Sequence, residues 1–445
     1  MTAMRVVGRR ALALAIVLGS WLPGTGRSQQ VDSAALGPRL SLETVVARTL
    51  AYSPGVTGAL GAVRDAAALR RVALGAYLPS LSLISSAAWS DQTTLGTAGV
   101  TPGLSPAGGM NTYGAGFAAA LDVFTGGRRG AQRNYAEAIT QAADAGLVQQ
   151  HYATMLVAKQ GYFEVVRAHE LVRVALESVA QAELGLGYAR DRLAAGTATR
   201  ADVLLSQLAV STARRRALAA SDTLSTAGAT LGRLVGANEP VDAEPLAALD
   251  PAPLALGDSG VLAAAPAAAP AVAQAQALAS AGAAGVRASK SQYLPTIAVG
   301  AGYNWANESR VPGALRSGWV VAFTTSFPLF NGFVREASVT QAEAAAELAT
   351  ATSADTKRLA RAEAQQLLGR LHVAEQDITL TCEAVRLAGE DLRVIQARYR
   401  AGIATILDVL TSQTALTQAE LDLVSARFTY QVARASLEAL LGRDL

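Results

Sequence analysis

Two periodicities divide the chain. From Leu81 the odd positions read Leu81, Leu83, Ser85, Ala87 and Trp89, and the even ones Ser82, Ile84, Ser86, Ala88 and Ser90. A second segment sets Tyr113, Ala115, Phe117, Ala119, Leu121 and Val123 against Thr112, Gly114, Gly116, Ala118, Ala120 and Asp122. Later, Ile297, Val299, Ala301, Tyr303 and Trp305 alternate with Thr296, Ala298, Gly300, Gly302 and Asn304. Trp319, Val321, Phe323, Thr325, Phe327 and Leu329 alternate likewise with Gly318, Val320, Ala322, Thr324 and Ser326. Alternation with period two marks strands with one large apolar face and one small or polar face. Strands are predicted at about 80–90, 112–124, 296–306 and 318–330.

After each strand pair the period becomes helical. Neither Arg128–Ala194 nor Val334–Arg400 contains a proline, and each predicts one uninterrupted helix. At 1.5 Å per residue such helices run on the order of 100 Å. The second carries two stripes stepping by seven: Leu371, Ile378, Val385, Leu392, and Val373, Leu380, Leu387, Val394. An offset of two residues is about 200° around a helix, so the stripes lie on opposite flanks. A helix with two apolar flanks needs a neighbour on each side, as a stave does in a closed cylinder. The first helix keeps one stripe (Val165, Val172, Val179, Leu186), while Arg167 and Gln181 interrupt the other. Leu42 to Gly75 is also helix-like, with a break at Pro54.

The two halves are copies. Gly196-Thr-Ala-Thr199-Arg-Ala-Asp202-Val-Leu204 returns as Gly402-Ile-Ala-Thr405-Ile-Leu-Asp408-Val-Leu410, an offset of 206 (402 − 196). The same offset takes Phe124 to Phe330 and Gly236 to Gly442. Upstream the offset is 216, taking Tyr77-Leu78-Pro79 to Tyr293-Leu294-Pro295 and Pro54 to Pro270, so the first copy has the longer strand-to-strand loop. Glycine suits the left-handed position after a helix end. Thr199 and Thr405 then take N-cap positions, each with an acid three residues on. Each motif is therefore the tip of a helical hairpin. The chain divides into a leader at 1–28, a first repeat at 29–236 with its helical hairpin at 128–236, a linker at 237–262, and a second repeat at 263–445 with its hairpin at 334–442. The linker is proline-rich (Pro240, Pro245, Pro251, Pro253), and Asn238 to Gly260 is expected to be a connecting loop.

The leader has a basic start at Arg5, Arg9 and Arg10, an apolar stretch Ala11–Leu18, and small residues Gly26 and Ser28, which is a secretory signal-peptide pattern. Removing it takes four arginines, leaving 34 basic (38 − 4) against 35 acidic residues. Net charge therefore offers no support for nucleic-acid binding. The lone Cys382 excludes an internal disulfide and is expected to be a buried small hydrophobe. His151, His169 and His372 lack ligand spacing and read as ordinary helix residues. No nucleophile elbow, HExxH or phosphate-binding loop occurs, so neither an enzyme nor a cofactor or metal site is expected.

Strands of this length suit a tilted membrane crossing of roughly 9–11 residues. Trp89, Tyr113, Trp305 and Trp319 all fall at the loop ends of the hairpins, as an interfacial aromatic girdle would. No segment after the leader offers the apolar run of a transmembrane helix, which leaves strands as the spanning elements. Four strands cannot close a barrel, since about eight are needed. Copies must share one. Two, three or more would satisfy the sequence.

Secreted membrane hairpins continuous with very long helices, duplicated in one chain, resemble the TolC family of outer-membrane efflux proteins. The resemblance rests on the two tip motifs, the paired Tyr-Leu-Pro, and the Leu329-Phe330-Asn331-Gly332 exit from the last strand. It implies a mixed α/β membrane protein of two repeats, forming a homotrimer with a twelve-stranded outer-membrane β-barrel and a periplasmic α-helical barrel. It implies a passive exit duct in efflux or type I secretion, fed by an inner-membrane pump of RND, ABC or MFS type through a periplasmic adaptor. Adaptor docking falls at the tips, around Gly196, Thr199, Leu204, Gly402, Thr405 and Leu410. The periplasmic gate of the best-known members uses acids at the positions of Asp408 and Thr411. There a tyrosine at the position of Tyr399 and an arginine at that of Ala404 latch onto an aspartate at that of Asp202. Here Asp408, Tyr399 and Asp202 are retained, while Thr411 and Ala404 depart from the pattern.

A capping acid stabilises its helix by about 1 kcal/mol and needs no other purpose. Capping is the reading favoured for Asp202, and capping combined with a pore ring for Asp408. The competing classes are a periplasmic coiled-coil scaffold without a pore, which leaves the girdled strands unexplained, and an adaptor, which would call for a β-rich module between helices.

Overall fold

The computed structural model describes residues 37–90, 110–245, 251, 253–307 and 315–445. The leader at 1–28 and both strand-to-strand loops, 91–109 and 308–314, lie outside the described residues. Within them the first repeat runs β1 (Arg39–Leu40), α1 (Leu42–Tyr52), α2 (Pro54–Gly75), β2 (Ser80–Ser90), β3 (Met110–Phe124), α3 (Arg128–Ala194) and α4 (Arg200–Leu234). After β4 (Asp242–Ala243), the second repeat runs α5 (Gly257–Ala268), α6 (Pro270–Lys290), β5 (Thr296–Asn307), β6 (Leu315–Ser326), α7 (Val334–Arg400) and α8 (Ile406–Leu441). Both long helices, α3 and α7, have 67 residues.

Each long helix packs beside two shorter ones placed end to end. α3 packs against its hairpin partner α4 and against α8, and elsewhere along its length against α2 and α6. α7 packs in the same way against α8 and α6. The short helices meet at the repeat-equivalent glycines. Gly236 closes on the Tyr52 ring just before α2 starts, and Gly442 closes on Pro270 at the start of α6; a Cβ on either glycine would come within 2.7 Å and 2.4 Å of those groups. Both glycines also hold positive φ, 72° and 65°, which L side chains rarely adopt. Pro54 and Pro270 occupy first-turn positions, where a missing N–H costs no hydrogen bond.

The repeat extends to the packing. Val45, Val165 and Leu231 are fully buried in one core, and Val261, Leu371 and Leu437, their equivalents at offsets of 216 and 206, are fully buried in the other. Buried alanines line α6 (Ala275, Ala277, Ala281, Ala284) where it packs against α3 and α7. The expectation of no apolar run long enough to cross a membrane needs amending. The α5–α6 stretch qualifies by composition, but it is broken at Pro270 and packs between α3 and α7.

The four long strands form one antiparallel sheet in the order β2-β3-β5-β6, which leaves β2 and β6 as open edges among the described residues. Leu83 pairs with Phe117, Phe117 with Tyr303, and Tyr303 with Trp319, so most of the large residues, though not Ile84 and Val320, share one face. The other face carries Ser82, Gly116, Gly302 and their like. β6 ends at Ser326, short of the expected 330. Pro328 explains this, because it has no N–H to continue a ladder; its first-repeat equivalent is Asp122, where β3 continues through a register shift between Asp122 and Phe124.

Two further expectations are corrected. The linker is no simple loop: β4 pairs in parallel with β1, and α5 starts at Gly257. The clasp is pinned by Asp242, which accepts from Arg39 Nε at 3.1 Å and from the Ala243 N–H at 2.8 Å, and meets His169 Nε2 of α3 at 2.5 Å. His169 is therefore a structural partner and not a bystander. Cys382 is exposed, because it lies on a face of α7 that no helix among the described residues covers.

Candidate functional site

Both tips are built alike. Gly196 and Gly402 sit at φ +73° and +80°, and each turn closes as a Schellman motif. Thr197 N donates to Arg192 O and Gly196 N to Leu193 O; Ile403 N donates to Arg398 O and Gly402 N to Tyr399 O. Thr199 and Thr405 then start α4 and α8 through reciprocal capping boxes. The Asp202 carboxylate accepts from Thr199 N at 2.8 Å, and the Asp408 carboxylate accepts from both Thr405 N and Thr405 Oγ1 at 2.8 Å. The two Thr405 hydrogen bonds, backbone first, hold the exposed Asp408 carboxyl below the usual carboxylate range, and the charge of Arg398 adds to them. Asp408 is thus an anion engaged by its own helix start.

The remaining gate positions separate. Thr411 is exposed and its hydroxyl donates to Leu407 O of its own helix. Tyr399 is 2% exposed and packs with Ile406, Val409, Tyr188 and Leu410. Burial pushes its phenol up; Arg192 opposes this and Asp202 adds to it. The Asp202 carboxylate is near enough to act on the phenol but is spent on its cap. Of the docking positions, Leu204 is exposed while its counterpart Leu410 is half-buried in the tip cluster.

Arg192, in the last turn of α3, was not among the sequence candidates. Its guanidinium donates to Tyr399 O of α7 at 3.0 Å and to Thr197 O at 2.9 Å, and stands 4.5 Å from the Tyr399 ring centroid. A second stack joins the same two helices, Arg400 over Tyr188 at 4.8 Å. At the opposite ends of the long helices, Arg129 and Arg335, related by the 206 offset, lie over Tyr77 and Tyr293 at 4.9 and 4.3 Å. Arg129 also donates to Val123 O at 2.7 Å, and Arg335 to Pro328 O at 3.3 Å, so each ties helix start to strand exit. The tyrosine of each Tyr-Leu-Pro is the platform for that arginine. Only the pairing across repeats, invisible in one motif, could have revealed it.

On the sheet, the four loop-end aromatics are not directly opposite one another. In the numbering of β3, Trp89 stands level with 111, Tyr113 at its own position, Trp305 level with 115 and Trp319 level with 117, a step of two residues per strand. At about 3.3 Å per residue and 4.8 Å between strands, that line becomes level when strands tilt by roughly 50°. Tyr303 and Phe117 join Trp305 in edge-to-face contacts at 4.7 and 6.0 Å, extending the aromatic band.

Among the described residues no group of acids, histidines and cysteine could hold a metal ion. A comparison with curated proteins finds no match. Among solved structures, the outer membrane protein VceC of Vibrio cholerae superposes with a TM-score of 0.76 at 21% identity, covering 91% of this chain and 96% of that one. A membrane protein from Pseudomonas aeruginosa gives 0.79 at 20% identity, with 93% and 92% covered. The open state of the MtrE outer membrane channel of Neisseria gonorrhoeae gives 0.68 at 18% identity, with 94% of each covered. These likenesses establish the fold. The sequence model of the outer membrane efflux protein family matches residues 45–237 and 261–443, one span in each repeat. With both repeats matched over most of their length, the chain belongs to the outer membrane efflux protein family.

Proposed function

We propose that this outer-membrane efflux channel works as a homotrimer whose entrance is formed by the helical tips. The observation that carries the reading is that both layers are open at both ends. In the sheet, β2 and β6 lack an outer partner among the described residues. In the helical layer α3 has neighbours on both sides, whereas α7 has α8 on one side and leaves Val373, Leu380 and Leu387 more than half exposed on the other. An open strand edge is prohibitive in lipid, and an unpartnered apolar flank is costly in water. Three copies joined β6 to β2 and α7 to α4 remove both defects and give twelve strands and twelve helices. The stepped aromatic band then forms a ring at one membrane interface, with Trp89, Tyr113, Trp305 and Trp319 as its members.

In this arrangement the duct is passive. A pump in the inner membrane supplies the energy, and an adaptor docks around Gly196, Thr199, Leu204, Gly402, Thr405 and Leu410. Three-fold symmetry gathers the Asp408 carboxylates near the entrance, where a ring of anions favours cations. The hydrogen bonds from Thr405 favour the charged form of Asp408, which is the form such a ring requires. Conductance of the purified protein in planar bilayers tests this. Discrete cation-selective openings are expected for the native protein, with selectivity reduced in Asp408→Ala. Unchanged selectivity would leave Asp408 as a cap alone, and failure to form any opening would remove the duct.

A further inference from the structure

Arg192 occupies a place that the tip motif does not require. Both Schellman turns close with main-chain hydrogen bonds, supplemented at the first tip by Thr197 Oγ1 donating to Arg192 O at 3.2 Å, and neither needs the guanidinium. The guanidinium adds something else: it spans from the C-terminal turn of α3 to that of α7, bonded to a carbonyl of each tip and stacked on a ring that is 2% exposed. Tyr399 O is among the last carbonyls of α7 and so partly negative, Thr197 O belongs to the turn that follows α3, and a planar cation with several N–H donors is suited to hold both at once. Gly402 lies against the guanidinium, but what requires glycine there is its positive φ of 80°.

We propose that Arg192 is the positioning residue that pins the two tips of a protomer together and so keeps the entrance narrow. This rests on the channel reading above and names the contact within it that resists opening. The Tyr399 ring, and not its hydroxyl, is the partner surface: the hydroxyl makes no hydrogen bond to Asp202, whose carboxylate serves Thr199. Repeat equivalence extends the argument. Arg398 falls where Arg192 does, and Leu193 falls where Tyr399 does, both by the 206 offset. Within the chain Arg398 is exposed and acts on Asp408 of its own tip. Around a ring of repeats it faces the first-repeat tip of the next copy, where leucine offers a carbonyl but no ring. The joint inside each protomer is therefore the stronger one, and the joint between protomers is where the entrance parts first.

Open probability in planar bilayers, read alongside the yield of intact oligomer, tests the pin. Losing a stacked, doubly bonded guanidinium is expected to raise open probability on the order of tenfold in Arg192→Ala. Tyr399→Leu is expected to do the same, Arg192→Lys to fall between, and Tyr399→Phe to match the native protein. Leu193→Tyr, which supplies the missing ring, is expected to lower it. A Tyr399→Phe channel as open as Tyr399→Leu would place the latch at the hydroxyl and overturn the proposal, as would an Arg192→Ala channel like the native one. A second measurement does not depend on conduction. Spin labels at Ala195→Cys and Ala401→Cys in a Cys382→Ser background report tip separation. A distribution that widens in Arg192→Ala supports the pin even if no current is seen; one that stays unchanged overturns it.

Discussion

Thr405 and Asp408 show how far one residue's chemistry reaches in this chain. The hydroxyl and N–H of Thr405 satisfy the carboxylate of Asp408, and Asp408 N donates back to Thr405 Oγ1 at 3.3 Å. Thr405→Ala and Thr199→Ala should each cost about 1 kcal/mol. The loss should show as faster amide hydrogen exchange in the first turns of α8 and α4, while exchange at the repeat cores stays unchanged. The caps were legible because capping is local: glycine, threonine and an acid at fixed spacing state the geometry by themselves. Arg192 was not, for the opposite reason. An arginine in a last helical turn reads as a favourable charge near the dipole, and its real partner, Tyr399, stands 207 positions away.

At the scale of elements, the stripes of α7 give the clearest separation of roles. Leu371, Ile378 and Leu392 are buried within the chain, whereas Val373, Leu380, Leu387 and Val394 are 40–67% exposed. The double substitution Leu380→Glu with Leu387→Glu should leave the helical content intact and abolish the oligomer, read by light scattering in detergent. The clasp of β1 and β4 makes a different prediction. Burial would raise the Asp242 carboxyl, but His169, Arg39 and the Ala243 N–H outweigh it and hold the group below its ordinary range. A lowered carboxylate contributes stability above its unfolded value, and that contribution fades as pH falls through the folded one. Asp242→Asn should therefore destabilise by about 2 kcal/mol at neutral pH. The gap from the native protein should close only in strong acid, as followed by denaturant unfolding across pH. Period and proline placement made α3, α7 and the strands readable. A clasp of two two-residue strands leaves no periodic trace, so β1 and β4 were not.

For the whole molecule, duplication carries most of the information. The offsets of 206 and 216 found in the sequence reappear as equivalent buried triads, equivalent helix junctions and equivalent arginine–tyrosine pairs. What the halves do not share is at least as informative. Tyr399 against Leu193, and Pro328 against Asp122, distinguish the contact inside a protomer from the one at its border, and the strand that ends from the strand that continues. The end-to-end stacking beside each long helix has a mechanical consequence. In each repeat an unbroken rod is splinted by two shorter pieces that abut at Gly236 or Gly442. Force applied at a tip travels upward through the single continuous member, and the butt joint fixes the height at which the wall yields. Bending is thus favoured at that joint, near Tyr52 and Pro270.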